Sequence, residues 1–209
     1  MLMPYFLVIL AYFTGSLSAA IITCKLLGKV DPRTVGSRNP GATNVLRYAG
    51  KKAAILTLLG DMLKGFVPVA IGHALGLGWE WLVLVGIAAF LGHLYPVYYG
   101  FRGGKGVATA FGVFLGLNPI IGIVVLLTWM ISALIFNISS LSALIATLLA
   151  PVYFYIVTSS IPLFFGLLFI TLMIYWRHRT NIIEIIDGTE DKIVEKGGKT
   201  TLDITADKN

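Results

Sequence analysis

The sequence predicts an all-α integral membrane protein. It reads as a seven-helix transmembrane bundle with a short fourth segment, the N-terminus outside and the C-terminus cytoplasmic. Three observations carry this. Of 209 residues, 57% are hydrophobic and only 12% charged, whereas a soluble domain carries about 25% charged residues. Apolar runs of about eighteen or more residues recur, each long enough to span a bilayer. Barrel-type alternation with period 2 is absent, so lipid-exposed backbone must satisfy itself within helices.

The first segment covers residues 3–27. It is too long for a cleaved signal and lacks a basic start, so it reads as a retained helix. A polar loop, 28–52, follows. The second segment covers 53–75 and closes on the turn Gly76-Leu77-Gly78. The third, 79–99, opens on Trp79 and Trp81, which suit an interface. After a second polar loop, residues 107–136 contain no charge, too long a run for one span of about 20 residues. Asn118-Pro119 divides it, because the residue before proline disfavours helix. The fourth segment is therefore 106–117 and the fifth 119–136. About twelve residues at ~1.5 Å each reach only ~18 Å, short of a bilayer core. The sixth and seventh segments are 139–157 and 161–176. Residues 1–193 form one transmembrane domain. A polar tail, 194–209, is expected to be flexible around Gly197-Gly198.

Charge tests this division. Of the sixteen Lys and Arg, Lys64 alone falls in the interior of a span, with Lys25 at the end of the first segment beside the polar loop. With seven spans and the N-terminus outside, every other cation is cytoplasmic, as the positive-inside rule asks. Six spans strand Arg177 and Arg179 outside. Five also work if two segments fuse or stay re-entrant. The net charge of +6 favours anionic head groups or anionic substrates. No basic–aromatic platform for nucleic acid is visible. Cys24, the single cysteine, excludes an intrachain disulfide and reads as a packing residue. No Cys/His cluster has metal-ligand spacing, and neither a metal nor another cofactor is expected.

Three polar clusters fall on the predicted cytoplasmic face. Residues 35–47 have the make-up of an anion-binding loop. Gly36 and Gly41 admit close backbone approach. Ser37, Asn39, Thr43 and Asn44 offer neutral donors, and Arg38 and Arg47 offer charge. The plainer reading is a linker whose cations only set topology. The second cluster, Gly103-Gly104-Lys105-Gly106, opens a helix. Helix N-termini carry unpaired N–H groups and partial positive charge, so a phosphate suits this end, with Lys105 as counter-charge. The P-loop spacing is missing, which disfavours nucleotide hydrolysis. The third cluster is Arg177-His178-Arg179-Thr180-Asn181. His178 and Asn181 share a face if the helix continues. His178 is either a base or hydroxyl-orienting group, or an interfacial histidine among snorkelling arginines. His93 reads as a helix–helix hydrogen bonder, and His73 as lying near the outer face. Asp61 and Lys64 form either a structural ion pair or the wall of a polar cavity.

With these residues in hand, the chain resembles the bacterial acyl-phosphate-dependent glycerol-3-phosphate acyltransferase family (PlsY). The likeness covers roughly residues 5–193. It rests on Gly15-Ser16, Asp31, Arg33 and the run 36–47. It continues through Asp61, Lys64-Gly65, Gly92-His93, Pro96, Phe101 and the run 103–109. It ends with Arg177-His178, Asn181-Ile182 and Gly188-Thr189-Glu190. The resemblance implies transfer of a fatty acyl group from acyl phosphate to the 1-hydroxyl of sn-glycerol 3-phosphate. The products are lysophosphatidic acid and phosphate, the first step of phospholipid synthesis. It also implies a monomer in the bacterial inner membrane, among membrane lipid, with a cytoplasmic active site. By resemblance, Ser37 and Arg47 belong to a catalytic first motif, with Asn39, Gly41, Thr43 and Asn44 holding phosphate. Lys105, with Gly103, Gly104 and Gly106, matches the glycerol-3-phosphate-binding motif. His178 and Asn181 match active residues of the third motif, and Glu190 its structural carboxylate. The chain departs from the family at Arg38, which is not taken as catalytic, and at Glu184-Ile185, where the family often has Arg-Leu. The competing class is a transporter or flippase of phosphorylated lipids or organophosphates. It would use the same loops, with Asp61 and Lys64 as a gate. Against it, the outward loops are tiny and uncharged, and no inverted repeat stands out.

Overall fold

The computed structural model describes residues 2–193, and the tail 194–209 lies outside them. Among the described residues all regular structure is helical. The elements are α1 (Met3–Gly15), α2 (Ala19–Leu26), α3 (Ala42–Ala49), α4 (Lys51–Ala74), α5 (Trp79–Leu94), a 3-10 turn (Val97–Tyr99), α6 (Val107–Leu117), α7 (Pro119–Phe136), α8 (Ser139–Thr158), α9 (Ile161–Arg177) and α10 (Arg179–Ile186). Four stretches are long and apolar enough to cross a membrane: α4, α5 with its 3-10 turn, α7 and α8. The pairs α1–α2 and α9–α10, bent by 44° and 62°, bring the number up to six if each pair counts as one broken span. The eleven residues of α6 reach only ~17 Å.

Each predicted segment has a helix, and local chemistry sets most ends. Asn118 caps α7 by accepting from the amides of Ile120 and Ile121, each at 3.1 Å, with Pro119 at the first helical position. Ser160 caps α9 in the same way, accepting from Leu163. Asn137 and Ser159 end α7 and α8 in the left-handed region, with φ of 55° and 51°.

Three expectations are corrected. The first segment is not one helix. It breaks at residues 16–18, where Ser18 caps α2, and the Lys64 ammonium donates to the Leu17 carbonyl at 2.7 Å. That carbonyl lies at the break, where the helix ladder supplies no donor. Second, the first polar loop contains a helix. Val45 of α3 packs with Ala20, Cys24, Ala53 and Ala54 in a small apolar cluster, which is where Cys24 is buried. Third, the condition that would put His178 and Asn181 on one helix face is not met, although the seventh segment ends where expected. It ends at Arg177 and α10 leaves at an angle.

The main core gathers Leu82, Phe90, Phe114, Phe154, Leu163, Leu167 and Ile170, all buried. Small residues let α4 and α6 approach closely, as in membrane helix pairs generally. A Cβ on Gly65 would overlap the Thr109 carbonyl, and one on Gly112 the Met62 carbonyl. This seam packs the short α6 closely against α4. At one end of α6, Leu117 offers its carbonyl to His73 Nε2 at 2.9 Å. At its other end, Val107 and Ala108 border a polar cavity.

Candidate active site

A cavity of about 580 Å³ opens at the end of the bundle where α3 and α6 begin. Its polar half is lined by Ser37, Asn39, Gly41, Thr43, Arg47, Lys105, Gly106, His178, Asn181 and Glu190, and its apolar half by Leu58, Met62, Phe111, Leu126 and Trp129. The three polar clusters, distant in sequence, therefore meet in one place.

The first loop is held from within. Asn44 donates both amide protons, to the carbonyls of Pro32 (2.9 Å) and Val35 (3.1 Å), and accepts from the Ser37 amide at 3.2 Å. Asn44 borders the cavity but has no free donor for a phosphate, and its work is to shape the loop. Ser37 is left exposed at the mouth. Arg38 has φ of 57° and does not line the cavity. Arg47 pairs with Asp191 at 2.8 Å, the latter 70% exposed. Such a solvated pair is weak, and an incoming dianion can replace Asp191. Thr43 faces Ser139, with 3.5 Å between the hydroxyls.

The glycine loop is held from both sides. The amides of Gly103 and Gly104 donate to the carbonyls of Leu94 (3.2 Å) and His93 (3.3 Å) at the end of α5. Their own carbonyls accept from the Arg177 guanidinium at 2.8 and 3.2 Å. Gly103 and Gly104 therefore do not line the cavity, contrary to their expected place at the ligand, because their polar groups dock the loop. Gly106 does line it. With φ of 87° it occupies the left-handed region as the N-cap of α6, where glycine alone carries no Cβ penalty. The first amides of α6 lack intrahelical partners and lie at the cavity wall.

Lys105 donates to Asn181 Oδ1. Asn181 Nδ2 donates to both Glu190 oxygens at 2.8 Å. Glu190 also accepts from Ser140 at 2.6 Å. Burial lowers the Lys105 ammonium, opposed by the charges of Glu190 and Glu184. Burial raises Glu190, but hydrogen bonding with Glu184, Ser140 and Asn181, and the Lys105 charge, outweigh it and leave it below the usual carboxylate range. Ser139 and Ser140 were missed from sequence. Their only signal is a pair of hydroxyls at the start of the sixth segment.

His178 is buried at the bend between α9 and α10. Its Nδ1 lies 2.8 Å from the Ile174 carbonyl. A carbonyl only accepts, so Nδ1 carries the proton and Nε2 is an acceptor in the neutral ring. Burial, and then the Lys105 charge, push His178 down to about 4. At neutral pH it is uncharged.

A helical membrane protein with a polar cavity that carries Arg47, Lys105 and the start of a helix, and that continues into an apolar slot, is the class that fold and site define. Comparison with known proteins places it further. The family model "Glycerol-3-phosphate acyltransferase" matches residues 5–188, and the chain belongs to that family. A relative named glycerol-3-phosphate acyltransferase from Thioalkalivibrio sulfidiphilus is 56% identical, with 94% of this chain and 97% of the relative covered. One of the same name from Hydrogenovibrio crunogenus is 54% identical, with 90% of each covered. The crystal structure of PlsY (YgiH), an integral membrane glycerol 3-phosphate acyltransferase, in its glycerol 3-phosphate form superposes with a TM-score of 0.87 at 38% identity, with 97% of this chain and 98% of that one covered. The lysphosphatidic acid form gives 0.85 at the same identity, with 91% and 95% covered.

Proposed function

We propose that this chain transfers a fatty acyl group from acyl phosphate to the 1-hydroxyl of sn-glycerol 3-phosphate, releasing lysophosphatidic acid and phosphate. The observation that carries the reading is the single cavity in which Ser37, Arg47, Lys105, His178 and Asn181 adjoin an apolar slot. The substrates bring two phosphates and one acyl chain, and the cavity offers cations, helix-terminal amides and a greasy wall for them. Family membership supports the acceptor, and the likeness to PlsY supports the donor.

In this reading the hydroxyl oxygen attacks the carbonyl carbon, an ester bond forms, and the bond to the phosphate oxygen breaks. Acyl phosphate is already activated, so the site mainly positions its substrates. Lys105, Arg47 and the α6 amides hold phosphate and stabilise the developing oxyanion. His178 accepts the hydroxyl's hydrogen bond at Nε2 and orients it. A group titrating at about 4 is a poor acceptor for that proton, which therefore goes to the departing phosphate. Ser37 is not acylated, because no base stands beside its hydroxyl among the described residues.

The chain is taken to work as a monomer in the bacterial inner membrane, with seven spans, the N-terminus outside and the cavity facing the cytoplasm. All the cavity groups come from one chain, and the positive-inside count agrees. Residues 1–193 act as one domain. Purified protein given glycerol 3-phosphate with acyl phosphate, or with acyl-CoA, tests both reaction and donor. Lysophosphatidic acid from acyl phosphate alone is expected. Uptake of phosphorylated lipid into vesicles without product would mean a transporter.

A further inference from the structure

Asp61, Lys64 and His93 are buried in the bundle, at 2%, 9% and 6% exposure. Ionisable groups inside spans are costly and persist where they have a task; Asp61 and His93 reach the wall of the active-site cavity, but the proposed reaction gives none of the three a chemical step. Lys64 Nζ lies 2.8 Å from Asp61 Oδ1 and also holds the Leu17 carbonyl at the α1–α2 break. The same Asp61 oxygen lies 3.6 Å from His93 Nδ1, an electrostatic contact and not a hydrogen bond. The His93 ring lies beneath the glycine loop, so close that a Cβ on Gly104 would overlap Nε2. The His93 carbonyl accepts the Gly104 amide. One line of contacts thus runs from the broken first span, through three ionisable side chains, to the residue before Lys105.

We infer that Asp61, Lys64 and His93 are positioning residues, a buried strut that sets the height of the glycine loop and so aims Lys105 at the acceptor's phosphate. The inference rests on the proposed reaction. Residues 100–106 include four glycines, and such backbone has wide conformational freedom. Arg177 clamps Gly103 and Gly104 from one side. The strut is the matching support from the other. Apolar contacts alone let a loop slide, while an ion pair backed by an imidazole fixes one height.

The test compares wild type with His93→Ala, His93→Gln and the double variant Asp61→Asn/Lys64→Met. The double variant removes both charges together, so neither is left buried alone. If wild type makes no lysophosphatidic acid, the functional reading fails and not the strut. If it does, KM for glycerol 3-phosphate should rise about 10-fold or more in His93→Ala and the double variant, as expected when a binding group is displaced by an ångström or less. KM for acyl phosphate should stay within about 2-fold, with the melting transition preserved. His93→Gln, which keeps a polar amide facing Asp61, should recover most of the loss. Unchanged KM values in folded variants would overturn the inference. So would a rise of both KM values in parallel with a fall in kcat and melting temperature, since that marks a structural role only. If the double variant does not fold, the two His93 variants decide.

Discussion

Two lysines in this molecule stand near carboxylates, and they are wired differently. Lys64 meets Asp61 directly, at 2.8 Å, with both side chains buried. Lys105 meets Glu190 only through Asn181, whose oxygen takes the ammonium and whose nitrogen serves the carboxylate. The direct pair cancels its charge in place, with only Asp61 reaching the cavity wall. The relayed pair keeps the cation oriented yet not neutralised, at a wall open to ligand. An interposed amide is what separates a support from an anion site.

The largest effect expected on this view comes from Asp61→Asn alone. It strands Lys64 in a buried setting and should lower stability by about 3–5 kcal/mol, read by thermal denaturation of the solubilised protein. Lys105→Met should leave the melting transition nearly in place and lower kcat/KM by about 10²- to 10³-fold, the usual loss for one oxyanion-stabilising donor. If the two variants behaved alike, the contrast would be lost. Asn181→Asp sets a carboxylate directly on Lys105 and takes the amide donor away from Glu190. A drop in kcat/KM of about 10-fold or more, mostly in KM for glycerol 3-phosphate, is expected from neutralising the cation. Wild-type KM in that variant would show that the relay is immaterial.

His178 sharpens the comparison through pH. An unfolded imidazole takes its proton below about 6.5, while the folded one does so only near 4. The unfolded state therefore binds more protons between these values, and stability falls as pH drops through that window. Glu190, held below the usual range, adds stability above its unfolded value that acid then removes. His178→Gln should flatten the dependence of melting temperature on pH between about 6.5 and 4. It should keep some turnover, about a tenth of wild type, with the pH–rate profile unshifted. Complete loss of activity with both substrates still bound would restore a side-chain base. The smallest change is expected of Glu190→Gln, a few-fold in kcat/KM. It removes charge from Asn181's partner while an amide oxygen can still accept from Asn181 and Ser140.

Much of the frame was readable from pattern. Proline and asparagine at 118–119 marked the α6–α7 boundary because their constraints are local. The clusters around Ser37, Lys105 and His178 were readable because glycine, cations and hydroxyls stand out between apolar runs. Where the readings fell short, the missing information was tertiary. Asn44, Gly103 and Gly104 look like ligand groups in sequence, but their polar atoms are taken by Pro32, Val35, Leu94, His93 and Arg177. The break at residues 16–18 was invisible because its donor, Lys64, comes from another helix. α3 was missed because eight residues between two spans give little periodicity, and its burial depends on Cys24 and Ala53.

By itself, then, the sequence determined that this chain is a helical membrane protein, where most of its helices end, and which residues carry charge. Those follow from hydropathy, capping and proline geometry, all short-range. Which amide faces a ligand and which a neighbouring carbonyl was decided only when the helices packed. The same held for the lysine that stays available and the one paired out of reach. A hydrogen bond can be made once, and the nearest partner in three dimensions, not in sequence, takes it.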